Sequence, residues 1–158
     1  EAREKKNEAR VDIKISAHIP ESYIGTGAER MEMYKKISLI GTHEDKMDVY
    51  DELCDRYGDP PRPDERLLNI ALSKAMATDV GIEQIEERGG ALTFITHRPD
   101  LAVWSELFDK YRGMRFAPSG DRVIYKYGSR DPAKCMCEIL EDYKKFSSSA
   151  NDLKENRN

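Results

Sequence analysis

The segment "YDELCDRYGDPPRPDERLL" at residues 50–68 joins two stretches in which apolar residues recur at the spacing of a helix. Gly58 follows the first stretch, and Pro60 and Pro61 prevent that helix from resuming. Pro63 suits the first turn of the next helix, because the N–H that proline lacks would have no partner there. The segment therefore predicts two helices joined by a tight turn. It is also rich in Asp and Glu, which could serve catalysis, a metal ion or another protein.

Three helices are predicted around this turn. Upstream, Thr26 followed three residues later by Glu29 forms a capping-box pattern, and Gly41 ends the apolar periodicity behind it. Thr42 and Asp45 repeat the start signal for the helix that carries the first part of the segment. The helices are therefore expected between Thr26 and Gly41, between Thr42 and Gly58, and between Pro63 and Gly81.

Outside these three helices, the spacing of apolar residues predicts one strand near the N-terminus and both strands and helices in the second half. The stretch "VDIKISAHI" at residues 11–19 alternates apolar and polar residues, which predicts a strand that ends at Pro20. The second half contains two hairpin patterns, each followed by a helix pattern. The prediction is an α+β fold: an N-terminal strand and three helices, then two hairpin-helix units that share a small, mostly antiparallel sheet of four strands. The signals that divide the second half are Gly89-Gly90, Pro99, Ser119-Gly120 and Asp131-Pro132.

The length of the chain suits one domain, and three scattered cysteines, too few for a disulfide framework, suit a reducing compartment. The chain has 158 residues and a formal net charge of −4, so a whole-chain attraction to nucleic acid is not expected. No apolar run is long enough to span a membrane and no signal peptide is visible, which predicts a cytoplasmic location. We expect a charged linker at residues 1–10, a domain at 11–147 and a disordered tail at 148–158. Because the chain begins at Glu1 rather than Met, we also expect a piece of a longer protein.

Residue types that usually carry catalysis are present but scattered. Cys135 and Cys137 lie two apart on a predicted helix, so their side chains point about 200° apart and read as core thiols rather than zinc ligands. No glycine-rich phosphate-binding loop is present. The sequence therefore predicts no catalytic residue, no metal ligand and no bound cofactor. The other candidates considered are Cys54, His18, His43 and His97, which fall on different elements.

Two surfaces could bind a partner. On the second helix, Glu44, Asp48, Asp51, Glu52 and Asp55 form one continuous acidic face, roughly opposite an apolar stripe. Residues 43–66 hold nine acids and four bases, and acids four apart on a helix repel, so folding alone does not favour this face. It is either a solvated surface or a docking surface for a basic partner. The apolar stripe consists of Met47, Tyr50, Leu53, Cys54 and Tyr57.

The other surface is the basic stretch at residues 110–126, where Tyr111, Phe116 and Tyr125 are interleaved with Lys and Arg. That pattern would suit a small nucleic-acid-binding module, in which aromatic rings stack on bases. A solvated sheet face produces the same pattern and does so more often. Both interpretations stay open on the sequence alone.

Six short motifs resemble, in order and spacing, the C-terminal domain of the bacterial transcription-repair coupling factor, Mfd. The resemblance covers about residues 12–82, and its more specific positions include Arg30, Tyr34, Arg56, Tyr57 and Gly58. Tyr57 stands where Phe is usual, and residues 59–65 are richer in proline than the family pattern. The motifs are "HIPESYI" at 18–24, Arg30, "MYKKI" at 33–37, "ELCDRYG" at 52–58, "LLNIA" at 67–71 and "VGI" at 80–82.

The resemblance implies a parent protein that is a DNA translocase driven by ATP bound upstream of this segment. Such a parent displaces stalled RNA polymerase and recruits the repair protein UvrA. The domain itself would be a non-catalytic clamp that packs on a UvrB-like module of the same parent and masks its UvrA-binding surface. Glu52 and Asp55, with Asp48 and Asp51, would form the interface to that module.

Two other functions remain possible on the residues: a standalone acidic adaptor and a small nucleic-acid-binding module. For Arg56 we expect a structural role, with its side chain directed partly toward the preceding helix and paired with a carboxylate or a carbonyl. Arg30, Tyr34, Tyr57 and Gly58 are expected to be structural members of the same motifs.

Overall fold

Five helices and five strands follow one another along residues 7–156, the part of the chain that the computed structural model describes. Residues 1–6 of the expected linker lie outside the described part, and Arg10 already belongs to the first strand. The elements are β1 (Arg10–Asp12), α1 (Gly27–Ser38), α2 (His43–Tyr57), α3 (Arg62–Val80), β2 (Gln84–Arg88), β3 (Ala91–Ile95), α4 (Leu101–Lys110), β4 (Arg115–Phe116), β5 (Arg122–Lys126) and α5 (Pro132–Glu155).

All five strands form one sheet in the order β1-β2-β3-β5-β4. Only the β1–β2 pair is parallel; the other pairs are antiparallel. The predicted α+β class, with two hairpin-helix units on a mostly antiparallel sheet, is confirmed. The shared sheet was expected to have four strands. It has five, because the N-terminal strand β1 pairs with β2 and so joins it.

The first strand is shorter than its alternating pattern indicates. Pairing with β2 stops at Asp12, whereas the pattern continues toward Pro20. Beyond the strand, Ile13 packs against the hydrophobic core without ladder pairing, and Ile19 is buried. The backbone N–H of Ile19 donates to the hydroxyl of Tyr34 at 2.8 Å, so a side chain replaces a neighbouring strand as its partner.

The capping contacts confirm the predicted starts at Thr26 and Thr42 and the predicted stops at Gly58 and Gly81, whereas α1 ends at Ser38, capped by Leu39, and not at the predicted Gly41. The N–H of Asp45 donates to Thr42 Oγ1 at 3.0 Å, and the Asp45 carboxylate accepts from the N–H of Thr42 at 3.1 Å. This reciprocal pair is the capping box that opens α2. Gly58 and Gly81 end α2 and α3 with φ angles of 84° and 79°, a region that side chains other than glycine rarely adopt.

One hydrophobic core connects the sheet to the helices. Ile85, Leu92, Phe94 and Val123 cover the inner face of the sheet and are fully buried. Trp104 of α4 lies between Phe94 of the sheet, with ring centroids 5.8 Å apart, and Tyr143 of α5, at 5.3 Å. The same core extends between α1, α2 and α3, where its buried members are Met33, Ile37, Leu53, Leu68, Leu72 and Met76.

Two further expectations about the helices need correction. The predicted tail at 148–158 begins inside α5, which continues to Glu155; residues 157 and 158 lie outside the described part. Phe146 and Ala150 line a hollow against Val103 of α4. The serine run at 147–149 is therefore part of a helix that lies against α4. On α2 the apolar stripe is only partly a core stripe: Leu53 is fully buried, whereas Met47 is 39% exposed.

No helix within residues 7–156 combines the length and the apolarity that a membrane crossing needs.

Candidate protein-binding surface

The exposed acids of α2 lie on one side of the helix. At 100° per residue, Glu44, Asp48, Asp51 and Asp55 fall within about 60° of one another, opposite the buried Leu53. All four are exposed, and none of them forms an ion pair with another residue of the described chain. We call these four residues the acidic face. Their mutual repulsion is not offset within the domain.

Glu52 does not belong to this face. It points toward α1, where Lys36 Nζ donates to both of its carboxylate oxygens at 2.8 Å. Arg56 Nη1 lies 3.4 Å from Glu52 Oε2 and 3.4 Å from Glu32 Oε1. Its spacing on α2 groups Glu52 with the exposed acids. That spacing does not show where the neighbouring helix α1 lies. Glu52 is therefore already neutralised by two cations of its own domain.

The α1–α2 contact is a four-residue ion network made of Glu32, Lys36, Glu52 and Arg56. Lys36 Nζ also lies 3.3 Å from Glu32 Oε1, so each cation of the network meets both acids. The hydrogen bond from Lys36 and the charge of Arg56 lower the pKa of Glu32. The hydrogen bond to Glu52 raises the pKa of Lys36. The network joins the two helices at their exposed edge.

Arg56 has the contacts expected of a structural residue. Besides its two carboxylate partners, Nη1 lies 3.9 Å from the sulfur of Met33, a buried residue of α1. Its guanidinium carbon lies 5.0 Å from the ring centroid of Tyr57, within the range of a cation–π contact. The expected direction toward α1 and the expected carboxylate pairing are both present.

The other motif residues attach the segment before α1 to the helices. Arg30 Nη1 donates to the carbonyl of Ile24 at 2.8 Å, and Tyr34 accepts from the N–H of Ile19. The hydroxyl of Tyr23 donates to the carbonyl of Gly58 at 2.7 Å. The ring of Tyr23 also packs edge-on against Tyr57, with centroids 5.8 Å apart. These contacts explain why the motif residues occur together in the sequence.

A shallow hollow of about 260 Å³ adjoins the acidic face. Asp48, Val49 and Glu52 of α2 line one side, and Leu39 and Ile40 at the end of α1 line the other. Leu39 is 80% exposed, the highest fraction among the exposed large hydrophobic residues of the described chain. Sequence reasoning missed Leu39, since an apolar residue at the end of an apolar helix pattern normally reads as core. Leu39 and the unpaired Asp48 therefore border the same hollow.

A groove of about 360 Å³ lies between α2, α3 and α5, and its described lining holds no catalytic arrangement. Met47, Tyr50, Leu68 and Cys137 contribute to its lining. Burial raises the pKa of the Cys137 thiol to about 11, so the sulfur stays protonated and is a poor nucleophile. Cys135 is also buried, as the core reading of the two thiols predicted. Within residues 7–156 no three His, Cys, Asp or Glu side chains come close enough to hold a metal ion.

The aromatic residues of the 110–126 stretch are used inside the domain. Tyr111 donates its hydroxyl hydrogen to Asp142 at 2.5 Å, and Lys110 pairs with the same carboxylate at 2.7 Å. Phe116 packs on a ring of α4, and Tyr125 packs on Tyr111 with centroids 5.6 Å apart. Tyr111 is buried and Phe116 and Tyr125 are half-buried in these contacts, so little of each ring face is open to a base. These contacts do not support the aromatic part of the nucleic-acid interpretation.

The fold matches that of a solved domain. A crystal structure of the C-terminal domain of a transcription-repair coupling factor superposes with a TM-score of 0.78, covering 91% of this chain and 96% of that chain at 20% identity. At that identity the likeness concerns the fold alone. The sequence gives the family: residues 13–103 match the model of the TRCF domain, which is more than half of the chain. The chain belongs to the TRCF domain family, as the motif around "ELCDRYG" predicted.

Curated relatives with similar sequences are bacterial transcription-repair-coupling factors. The protein of Staphylococcus epidermidis strain RP62A is 38% identical over 85 residues, which is 54% of this chain. The protein of Bacillus subtilis strain 168 is 35% identical over 80 residues, or 51% of this chain. This chain spans about 7% of the length of each of these relatives.

Proposed function

We propose that this domain is a non-catalytic clamp within a transcription-repair coupling factor. Its acidic face binds a basic surface on a UvrB-like module of the same parent chain and thereby masks the surface that UvrA would use. The observation that carries the proposal is the exposed, unpaired state of Asp48, Asp51 and Asp55 on one side of α2. Membership of the TRCF domain family and the names of the bacterial relatives support the choice of parent.

Within this proposal we assign the contact to three of the four predicted acids. Of the four acids predicted to contact the partner, Asp48, Asp51 and Asp55 are free to do so, whereas Glu52 is held by Lys36 and Arg56. Leu39 adds an apolar contact beside them. In this proposal the charges fix the orientation of the partner, and burial of Leu39 with the hollow supplies the hydrophobic part of the binding energy.

The energies involved suit a clamp that can open. Exposed ion pairs contribute about 0.2–1 kcal/mol each, and burying a leucine side chain contributes about 1.5–3 kcal/mol. Three pairs and one leucine therefore supply about 2–6 kcal/mol before the cost of ordering is subtracted. A net preference of about 3 kcal/mol would keep the open state below about one per cent. Engagement of another partner could then release the clamp.

The activities of the parent belong to the same proposal. The parent would be a cytoplasmic translocase that uses ATP bound outside this domain, moves on DNA, contacts RNA polymerase and recruits UvrA. The domain would reach polymerase and UvrA through the parent, and the parent's translocase would bring it to DNA. A standalone acidic adaptor would use the same face, but on a partner encoded separately.

The test is a charge reversal in the full-length parent. Asp51→Lys/Asp55→Lys should open the clamp and raise UvrA binding, because both side chains are exposed and would repel a basic surface. Glu106→Lys/Asp109→Lys on α4 is the matched control: it adds the same charge at two exposed acids and should leave UvrA binding unchanged. Unchanged UvrA binding in the Asp51/Asp55 variant, with the domain still folded, would leave only a solvated acidic surface.

The same variants separate a clamp from an adaptor. In a clamp, the isolated UvrB-like module added in trans should bind this domain, and the Asp51/Asp55 reversal should weaken that binding. If the module does not bind while the reversal abolishes binding to a separate protein, the adaptor is correct and the clamp is not.

A further inference from the structure

The outer face of the sheet is open to solvent. The strand register places Gln84, Glu86 and Arg88 of β2 opposite Ile95, Thr93 and Ala91 of β3, which in turn lie opposite Arg122, Ile124 and Lys126 of β5. Residues of the opposite parity, such as Leu92 and Val123, are fully buried on the inner face. By contrast, each outer-face residue of these three strands is exposed or only half-buried.

This face collects basic residues from four strands. Arg10 of β1 lies beside Gln84, Arg88 ends β2, Arg115 of β4 lies beside Ile124, and Arg122 and Lys126 belong to β5. All five are exposed, and none of them forms an ion pair within residues 7–156. We call these five residues the basic sheet face.

The acids on the same side of the sheet are Asp12 and Glu86, which are neighbours on β1 and β2. Glu86 accepts a hydrogen bond from Gln84 at 2.8 Å, which occupies part of its carboxylate. The β3–β5–β4 part of the face holds Arg115, Arg122 and Lys126 without any acid. The basic sheet face is therefore positive although the whole chain carries −4.

The spacing of the cations is that of a flat array. Arg122 and Lys126 are four residues apart on one strand, which corresponds to about 13 Å. Arg88 and Lys126 are separated by one intervening strand, which corresponds to about 10 Å. The positions between them hold Ala91, Thr93 and Ile124, which are uncharged and half-buried. Such a surface can lie against an extended, regularly charged ligand.

We propose that the basic sheet face binds the phosphate backbone of duplex nucleic acid without reading its sequence. Four of its five cations are arginines, whose planar guanidinium groups match phosphate oxygens in a bidentate geometry. Phosphate contacts of this kind hold a protein on a duplex but do not select bases.

Two other ligands fit the face less well. Single strands are bound by aromatic platforms, and the outer-face positions of the described strands hold no aromatic residue. A protein partner usually requires a large apolar anchor, but the large exposed hydrophobic residues (Met31, Leu39, Met47, Leu101 and Leu153) all lie outside the sheet. Interfaces with duplex nucleic acid are polar and positively charged, as this face is.

The surface is distinct from the acidic face on α2, so this inference does not depend on the clamp. It requires only that the 158-residue chain bind DNA, whereas the clamp is tested by UvrA binding to the full-length parent. Because the chain as a whole is negative, we expect weak binding that is confined to low salt.

The test is a fluorescence-anisotropy titration of the chain against a short labelled duplex of mixed sequence, repeated over a range of salt concentrations. The wild-type chain should bind with an affinity that falls linearly with salt on logarithmic axes, with a slope of about −3 to −4.5 if about three to five phosphates are neutralised. Arg122→Glu/Lys126→Glu should weaken binding at least about tenfold and reduce the slope by about 2.

Lys35→Glu/Lys145→Glu is the matched control, because it makes the same charge change at two exposed lysines that form no ion pair in the described chain. This control should retain most of the binding. If the β5 reversal unfolds the chain, Arg122→Gln/Lys126→Gln removes the charge without adding acids and should still weaken binding.

Four results would overturn the proposal: no salt-dependent binding of the duplex, an equal loss in the Lys35/Lys145 control, tighter binding of a single strand than of the duplex, or a preference for polyglutamate over the duplex. The last two would assign the face to the ligands that its composition disfavours.

Discussion

Replacing Asp64 by asparagine should stabilise the domain at neutral pH, and the gain should disappear in acid. Asp64 lies in the first turn of α3 and is fully buried. Neither of its carboxylate oxygens accepts a hydrogen bond from the described residues. Burial raises the pKa of Asp64 to about 6, because a carboxylate removed from water without a partner is costly. Tyr23, whose own pKa is raised to about 12 by burial and by Asp64, stays neutral between about pH 4 and pH 8.

The sign follows from the direction of the shift. A carboxyl group whose folded pKa exceeds its unfolded value near 3.9 binds protons more tightly in the folded state, so ionisation opposes folding. The penalty is complete above about pH 6, decreases between about pH 6 and pH 4, and vanishes below that. Two pKa units correspond to about 3 kcal/mol as an upper limit. The buried amide of the variant also lacks partners, so we expect a net gain of about 1–3 kcal/mol at pH 7 and above.

The assay is urea unfolding of both proteins at several pH values between about 4 and 8, with the free energy of unfolding compared at each. Asp59→Asn is the control, because Asp59 is an exposed acid in the loop before α3 and its replacement should change stability little at any pH. A difference between the Asp64 variant and the wild type that stays constant across this range would refute the reasoning. So would a variant that is less stable than the wild type at pH 8.

Three further changes test other contacts of the domain. Arg56→Ala should lower the melting temperature, because it removes the partner of Glu32 and Glu52 and the cation over Tyr57; an unchanged melting curve would show that the network contributes nothing. Asp131→Ala should cost about 2–3 kcal/mol in urea unfolding at pH 7, since its carboxylate caps α5 and pairs with Arg66 at 2.9 Å. Burial alone would raise the pKa of Asp131, but the hydrogen bond and charge of Arg66, together with the backbone hydrogen bonds at the start of α5, outweigh it and lower the pKa. The contribution of Asp131 is therefore present at neutral pH and lost in acid, and a deficit that persists in acid would contradict this. Leu39→Ser should change stability by less than about 0.5 kcal/mol, yet raise UvrA binding by the full-length parent; unaltered UvrA binding would remove Leu39 from the interface.

Local signals in the sequence were sufficient for most of the secondary structure. Thr42 with Asp45, Gly58 and Gly81 act through contacts within a few residues, so their meaning does not depend on the rest of the fold. The parallel pairing of β1 with β2 could not be predicted in this way, because it joins residues that are separated by three helices. The length of α5 was also missed, since a polar serine run gives no periodic signal although it continues a packed helix.

The surfaces were harder to predict than the elements. The basic sheet face combines residues from four strands, and only the register shows that Arg88 and Lys126 share a side with Arg10 and Arg115. The burial of Asp64 had no signal either, because an acid in the first turn of a helix is usually an exposed, favourable residue. By contrast, the acidic side of α2 followed from spacing on a single helix, and three of its four predicted interface residues are indeed exposed there.

Glu52 and Asp55 lie three residues apart in the motif "ELCDRYG" but differ in what surrounds them, which allows folding and binding to be separated. Glu52→Lys would place a third cation beside Lys36 and Arg56, so it should destabilise the domain itself. Asp55→Lys changes an exposed residue near the carboxyl end of α2, where a cation suits the helix dipole better than an anion, so stability should be kept or slightly increased.

In the full-length parent both substitutions should raise UvrA binding, but for different reasons. Glu52→Lys should do so together with a lower melting temperature of the domain, and a compensating Lys36→Glu should restore both properties. Asp55→Lys should do so with the melting temperature unchanged. If Asp55→Lys left UvrA binding unaltered while Glu52→Lys raised it, the effect would come from loosening of the α1–α2 network rather than from a lost contact, and the acidic face would not be the surface that holds the clamp closed.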